Sequence, residues 1–409
     1  MREPRNTQNT RKNGEVKSEG VDFNAEAQRR RGWEVRRFGW IMSIKPSISA
    51  PQEELLSVFL HKGVIRFIEE SEKRTNVTSS DLSKYQLVEP GDFVMNNQQA
   101  WRGSVGVSQY RGIVSPAYFV MRLANCLKPD FANYLLRSRS VVSIFEQCSR
   151  GVGTIQRNLI WDMLKVCCIA FPPLSEQKAI VKYLDAETGR IDKAIAAEEK
   201  MIALLQERRE IVINEAVSGS GKCGSEGVDF NAEAQRRRGW EVRKVKQCAI
   251  IEHGSNPKID GDVPVYGSGA ESFKTCGEFK EGPSVLLGRK GTVNIPRYVE
   301  GRFWNVDTAF NVCTRKNMLL RFFYYCATCF DYDRYVSQTA IPSMTQRDYE
   351  NMPIPLPPLA EQEEIVKYLD AGTGKIDRAI EVKRRQIELL RERRQIVIDE
   401  AVTGKVKVA

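Results

Sequence analysis

Residues 172–219 read PPLSEQKAIVKYLDAETGRIDKAIAAEEKMIALLQERREIVINEAVSG, and residues 357–404 read PPLAEQEEIVKYLDAGTGKIDRAIEVKRRQIELLRERRQIVIDEAVTG. The two copies align without a gap at an offset of 185, and 31 of their 48 positions are identical. Each follows a longer segment of mixed character, and those two longer segments do not resemble each other. A duplicated segment joined to two unlike modules is the plan of a scaffold rather than of one active site.

Each copy predicts one long helix. Pro172-Pro173 and Pro357-Pro358 block helix upstream, Ser175 suits an N-cap, and Gly219 and Gly404 suit the ends. Apolar residues recur at steps of three and four: Val181, Leu184, Thr188, Ile191, Ile195, Glu198, Ile202 and Leu205 in the first copy, continuing to Ala216. In the second they are Val366, Leu369, Thr373, Ile376, Ile380, Lys383, Ile387 and Leu390, continuing to Ala401. This is a heptad seam with a charged, solvated back face. A helix of about 40 residues spans roughly 60 Å, longer than a module of this size needs for its own core, so the copies are expected to pair with each other. Glu198 and Lys383 hold the same repeat position with opposite signs. In an antiparallel pair about a pseudo-twofold axis they face one another and fix the register.

Length and composition bound the rest. The 409 residues leave room for two or three domains, 42% of them are hydrophobic, and no apolar run reaches membrane-span length. The start, MREPRNTQNTRKNGEVKSEG, is polar and basic, unlike a signal peptide. Ten scattered cysteines, two of them adjacent at Cys167-Cys168, suit a reduced, cytoplasmic chain. Cys326 and Cys329 form a lone CxxC without the further ligands zinc requires, so core cysteines are expected and no metal site. A net charge of +10 points to a polyanionic partner.

A second duplication marks the module boundaries. SEGVDFNAEAQRRRGWEVR occurs at 18–36 and again, unchanged, at 225–243. Its polar, basic composition reads as spacer before modules that open at Trp33 and Trp240. The expected division is a basic tail at 1–32, a first module at 33–171, a helix at 172–219 and a linker at 220–239. A second module at 240–356, a helix at 357–404 and a tail at 405–409 complete it.

Two polar clusters in the first module suit DNA. Asn96, Gln98, Trp101 and Arg102 lie in NNQQAWRG between strand-like stretches, and Gln156 and Arg157 lie shortly before the first helix. Asn and Gln match adenine edges and Arg matches guanine. In the second module the candidates are Ser268 in PVYGSG, Arg289 and Lys290 in LLGRKGTV, Asn305 in FWNVDTAF, and Gln346 and Arg347. The GRKG run departs from a phosphate-binding loop because Gly291 follows Lys290 where Ser or Thr is needed. No adenine-methyltransferase motif, glycine-rich cofactor loop, histidine-based catalytic set or carboxylate cluster is present. These absences predict a chain without bond chemistry of its own. A stand-alone DNA-binding protein of repressor type and a nuclease are the competing classes. Tight site-specific binding without partners would mark the first, and metal-dependent cleavage by the isolated chain the second.

The chain resembles the DNA specificity subunits of type I restriction-modification systems. The resemblance rests on PPLSEQKAIVKYLD and PPLAEQEEIVKYLD, on the WEV openings, on PVYGSG, GPSVLLGRKGT and FWNVDTAF, and on GDFVMNNQQAWRGSVGVSQYRGIVSPAYFV. It implies an α+β chain with two mixed α/β target-recognition domains separated by two long antiparallel coiled-coil helices. It also implies double-stranded DNA as partner, two methyltransferase subunits that bring S-adenosylmethionine and methylate adenine N6, and two restriction subunits that use ATP and magnesium. The site is expected to be asymmetric and bipartite, and no cofactor is expected in this chain.

Overall fold

The structure, a computed structural model, describes residues 32–60, 62–67, 81–151, 157–219, 239–269, 271–337 and 341–408. Residues 1–31 and 220–238, which carry most of the 19-residue duplication, fall outside the described residues. The chain divides into two compact units, Met1–Ala196 with Glu388–Ala409, and Ala197–Ile387. The division runs through both long helices, Leu174–Ser218 and Leu359–Val402, instead of along the borders of the repeat.

In the first unit, Glu34–Arg37 pairs antiparallel with Cys168–Phe171, so the opening and closing strands of the module lie side by side just before the helix begins. Between them is a four-stranded antiparallel sheet in the order Met42–Ile44, Tyr118–Leu123, Phe93–Asn96, Val105–Val107. Two helices follow, Pro129–Leu135 and Arg139–Gln147, with Ser138 capping the second. Phe93, Met95, Phe131, Leu135 and Phe145 are fully buried where these helices meet the sheet. The same core takes Ile180 and Leu184 from the start of the first long helix and Ile398, Ala401 and Val402 from the end of the second. One module is therefore closed by helical ends far apart in sequence.

The second unit repeats this frame in unlike sequence. Glu241–Lys244 pairs with Pro353–Leu356, and the sheet order is Ala249–His253, Ala309–Thr314, Ser284–Gly288, Arg297–Val299. A further sheet, Ser272–Cys276, Val263–Tyr266, Arg302–Asn305, Lys280–Glu281, is added to it. Ile213 and Val217 from the end of the first long helix and Ile365 and Leu369 from the start of the second complete its core. Cys326 is buried there and Cys329 is packed against it.

Both modules are fastened to their helices by the same side chains. Gln177 is fully buried; its Oε1 accepts from Lys128 N at 2.9 Å, and its Nε2 donates to the carbonyls of Cys126 and Pro172 at 2.8 and 2.9 Å. Gln362, its repeat equivalent, accepts from Leu319 N at 2.8 Å and donates to Asn317 and Pro357 at 3.0 and 2.8 Å. Trp33 and Trp240 donate to Glu176 and Glu361, and Tyr134 and Tyr325 donate to Asp185 and Asp370. The helices start one residue before Ser175, which is thus interior and not the cap. The carbonyls of Pro173 and Pro358 open the helical ladders instead, each accepting at 3.0 Å from the glutamine four residues on.

The long helices run antiparallel. Within the second unit Lys383 Nζ lies 2.9 Å from Glu198 Oε2, and Arg209 Nε lies 2.9 Å from Asp377 Oδ1. Within the first, Arg394 Nε lies 2.9 Å from Asp192 Oδ1. Arg209 and Arg394 are repeat equivalents, as are Asp192 and Asp377, so one ion pair is made once in each unit. Along the seam Leu184, Ile191, Leu369, Ile380 and Ile387 are buried, and Ile195, Ile202, Leu205, Ile376 and Leu390 are half-buried. Full burial of one such side chain contributes about 1.5–3 kcal/mol.

Two measurements follow from this packing. Gln177→Ala or Gln362→Ala removes the partner of three backbone groups, one buried and two part-buried, and is expected to lower unfolding stability by roughly 1–3 kcal/mol in urea; a loss below about 0.5 kcal/mol would show that the amide is not the fastening. The Glu198–Lys383 pair is partly exposed, so Lys383→Glu is expected to cost roughly 0.5–1 kcal/mol. Adding Glu198→Lys should restore part of that loss, whereas additive losses would mean that the charges do not interact.

Candidate nucleic-acid interface

Each module carries one loop pair at the same place in the same frame. In the first, the strand Phe93–Asn96 runs into the NNQQAWRG loop. Asn96 Oδ1 accepts from Gln98 N at 3.1 Å, a 3₁₀ turn spans Ala100–Arg102, and Gly103 closes it at φ +92°, a conformation that favours glycine. A hairpin of Ser149–Arg150 with Asn158–Leu159 comes alongside, joined by Leu159 N donating to the Asn97 carbonyl at 3.2 Å. In the second, Ser284–Gly288 runs into Arg289-Lys290-Gly291, and Gly291 sits at φ +85°. The segment 341–345 comes alongside, with Met344 N donating to the Arg289 carbonyl at 2.9 Å and Gly291 N to the Pro342 carbonyl at 2.9 Å. Asn97 and Arg289 thus hold matching places, each accepting from the strand or loop that leads into the last short helix of its module.

The side chains on these matched frames differ. In the first module Trp101 is the centre: its Nε1 donates to the Gln98 carbonyl at 3.1 Å, and the guanidinium carbons of Arg102 and Arg157 lie 4.6 and 4.9 Å from its ring centroid. Trp101 is half-buried, and cation–π attraction to such a ring contributes about 1 kcal/mol, enough to bias where two flexible arginines point. Arg157 also donates to Glu146 Oε1 at 3.2 Å, so its guanidinium is held from two sides. Gln98 and Arg102 are exposed. Five of the six residues named for this module are thereby brought together, and Gln156 lies outside the described residues.

In the second module Arg289 Nη1 donates to the Asp307 carbonyl at 3.1 Å, and Lys290 is exposed at the tip of the turn. Ser268 comes close: its Oγ lies 3.3 Å from where a Cβ on Gly291 would sit. Gln346 and Arg347 open the short helix Gln346–Asn351, which Thr345 caps; Gln346 is tied to Glu350 at 2.7 Å, and Arg347 is exposed. Asn305 is a correction. It is fully buried, its Oδ1 accepts from Lys280 Nζ at 2.9 Å, and its Nδ2 donates to the Ala309 carbonyl at 2.8 Å. Both ends of the amide are occupied inside the fold, so Asn305 braces the FWNVDTAF corner and does not reach a base.

Among the described residues, no group of three His, Cys, Asp or Glu side chains could hold a metal ion, and no helix is long and apolar enough to cross a membrane. The GRKG turn leads to no helix N-terminus, which removes the geometry that a phosphate-binding loop requires.

The sequence model of the type I restriction modification DNA specificity domain matches residues 30–205 and again residues 237–390. The chain belongs to this family. A Methanocaldococcus jannaschii chain named as the specificity subunit of the type I restriction enzyme MjaX is 26% identical over 365 residues, covering 81% of this chain and 82% of that one. A Haemophilus influenzae chain named as the specificity subunit S.HindORF215P is 28% identical over 138 residues, 33% of this chain and 36% of its own length. A chain solved in work on complex assembly and conformational transition of the type I R-M system superposes with a TM-score of 0.65 at 18% identity, over 92% of this chain and 99% of that chain. The protein is a non-catalytic DNA-recognition subunit of the type I restriction-modification class, and its two modules carry different side chains on the paired loops.

Alanine substitutions separate frame from reading. Arg157→Ala or Arg289→Ala, where the lost contact is to guanine, is expected to cost ~1–3 kcal/mol at one base position, and Lys290→Ala to weaken all sequences alike. Asn305→Ala is expected to cost about 1–3 kcal/mol of folding stability with base discrimination unchanged. Altered discrimination in the folded Asn305 variant would restore that residue to the reading surface.

Proposed function

We propose that this specificity subunit reads an asymmetric, bipartite duplex, one half with each module, and directs partner subunits to it. The observation that carries this reading is the pair of matched loop frames with unmatched side chains. Asn96, Gln98, Trp101, Arg102, Gln156 and Arg157 serve one half-site, and Ser268, Arg289, Lys290, Gln346 and Arg347 serve the other. A common frame sets a common way of meeting the duplex, and different side chains give each half its own bases. The +10 net charge supplies sequence-independent attraction to the phosphates.

The partners in this proposal are two methyltransferase subunits, which hold S-adenosylmethionine and modify adenine at N6, and two restriction subunits, which use ATP and magnesium in cleavage. The complex is cytoplasmic, and this chain holds no cofactor. A second apolar stripe on the long helices supports a partner present in two copies. Leu204 and Leu389 are exposed at one repeat position, and Ile211 and Ile396 share another seven residues on, with Ile396 exposed. Tyr368 and Val382 extend the stripe on the second helix, 62% and 57% exposed. These positions sit one residue before the pairing seam, so they are left over once the helices have paired, and repeat equivalence gives two like surfaces.

Methylome sequencing of cells that express this chain with its methyltransferase subunit tests the reading. N6-methyladenine is expected at one split, non-palindromic motif with an unread gap. A continuous or palindromic motif would contradict it.

A further inference from the structure

Besides the two loops already described, a third element borders each reading site. In the second module it is the hairpin of Val263–Tyr266 with Ser272–Cys276, whose outer strand is the edge of its sheet and is exposed from Ser272 to Thr275. The hairpin is pressed onto the site at its tip. A Cβ on Gly267 would stand 2.9 Å from Thr308 Oγ1 and 3.6 Å from Phe273 Cε1, and Ser268 meets the Gly291 turn. Phe273 is 60% exposed there, with Lys274 Nζ 5.6 Å from its ring centroid.

The first module places a different hairpin at the matching point of the chain, between the first and third strands of its sheet. Leu56–Phe59 pairs with Gly63–Arg66, and Ser104 Oγ, just past the NNQQAWRG loop, donates to the Val58 carbonyl at 2.9 Å. Leu60 is 41% exposed, and its Cδ1 lies 3.8 Å from where a Cβ on Gly103 would sit. A single exposed apolar side chain on a protein surface calls for no explanation. Two of them, in unlike sequences, at matched hairpins, do call for one: Leu60 lies beside the Gly103 turn, and Phe273 beside Gly267, whose neighbour Ser268 meets the Gly291 turn.

We propose that Phe273 and Leu60 are further specificity-determining residues, each making an apolar base contact within the half-site of its own module. The chemistry is that of a hydrocarbon surface against the apolar edge of a base, as with the thymine methyl group, which hydrogen-bonding side chains do not sense. In the second module the Lys274 ammonium beside the ring supplies charge for the adjoining phosphate. The proposal rests on the DNA-reading assignment of the loops, and its test keeps the two apart.

The experiment uses the full chain assembled with its methyltransferase subunits. Methylation rates are measured on duplexes in which each base pair of the motif is varied in turn, for Phe273→Ala, Leu60→Ala, Arg289→Ala and Arg157→Ala. Discrimination is a ratio of rates from one preparation, so any loss of folded protein cancels. Phe273→Ala is expected to relax discrimination roughly tenfold at one or two adjacent positions of one half-site, Leu60→Ala to do so in the other half, and Phe273→Leu to keep part of the preference. Parental discrimination in both alanine variants, or effects confined to the same half, would overturn the hairpin proposal. If the two arginine variants relax discrimination while the apolar variants do not, this proposal alone fails. If all four discriminate as the parent does, the loop assignment fails with it.

Discussion

A buried glutamine amide at the start of each long helix is the contact on which the rest of the protein depends. Gln177 and Gln362 each satisfy one backbone N–H and one carbonyl of their own module, and the carbonyl of the proline that leads from the module into the helix. Two modules that differ in sequence still need one fixed seat, and a seat made from backbone groups is indifferent to the side chains around it. The tryptophan–glutamate and tyrosine–aspartate bonds add direction to the same seat. Because the seat recurs in both repeats, two modules unlike in sequence take up one frame on their helices.

The helices carry the second constraint. A seam of leucines and isoleucines pairs equally well in several registers, since every heptad offers a similar surface. Charges break that degeneracy. Asp192–Arg394 and Arg209–Asp377 repeat one ion pair in both units, and Glu198–Lys383 joins a seam position where the repeat differs from itself in sign. Each pair is partly exposed, so its contribution to stability is small; its role is to make one alignment better than its neighbours.

The long helices were legible in the sequence because periodicity and duplication are carried by residue type alone. Glu198 and Lys383 could be paired in advance for the same reason. The kinship of the two modules was not legible. It resides in strand order and backbone hydrogen bonds, which NNQQAWRG and GRKG satisfy with no residue pattern in common. The closing of each core by Ile398, Ala401 and Val402 or by Ile213 and Val217 was also hidden, since nothing local distinguishes a helix end that docks from one that frays. Asn305 was misjudged because an asparagine that braces a corner and one that reads adenine look alike in sequence; burial alone separates them. Ser175 suffered a similar ambiguity, as the proline carbonyl before it took the capping role.

In the proposed function, matched loop frames meet the two halves of one DNA site. A structure of the chain assembled with its partner subunits on duplex carrying the methylated motif tests this most directly. It is expected to place bases of one half within hydrogen-bonding distance of the 96–102 loop and Arg157, and bases of the other half within reach of Arg289, Lys290 and Arg347, with Asn305 still buried. Duplex lying along any other face of the modules, or both loop pairs touching only phosphates, would contradict it.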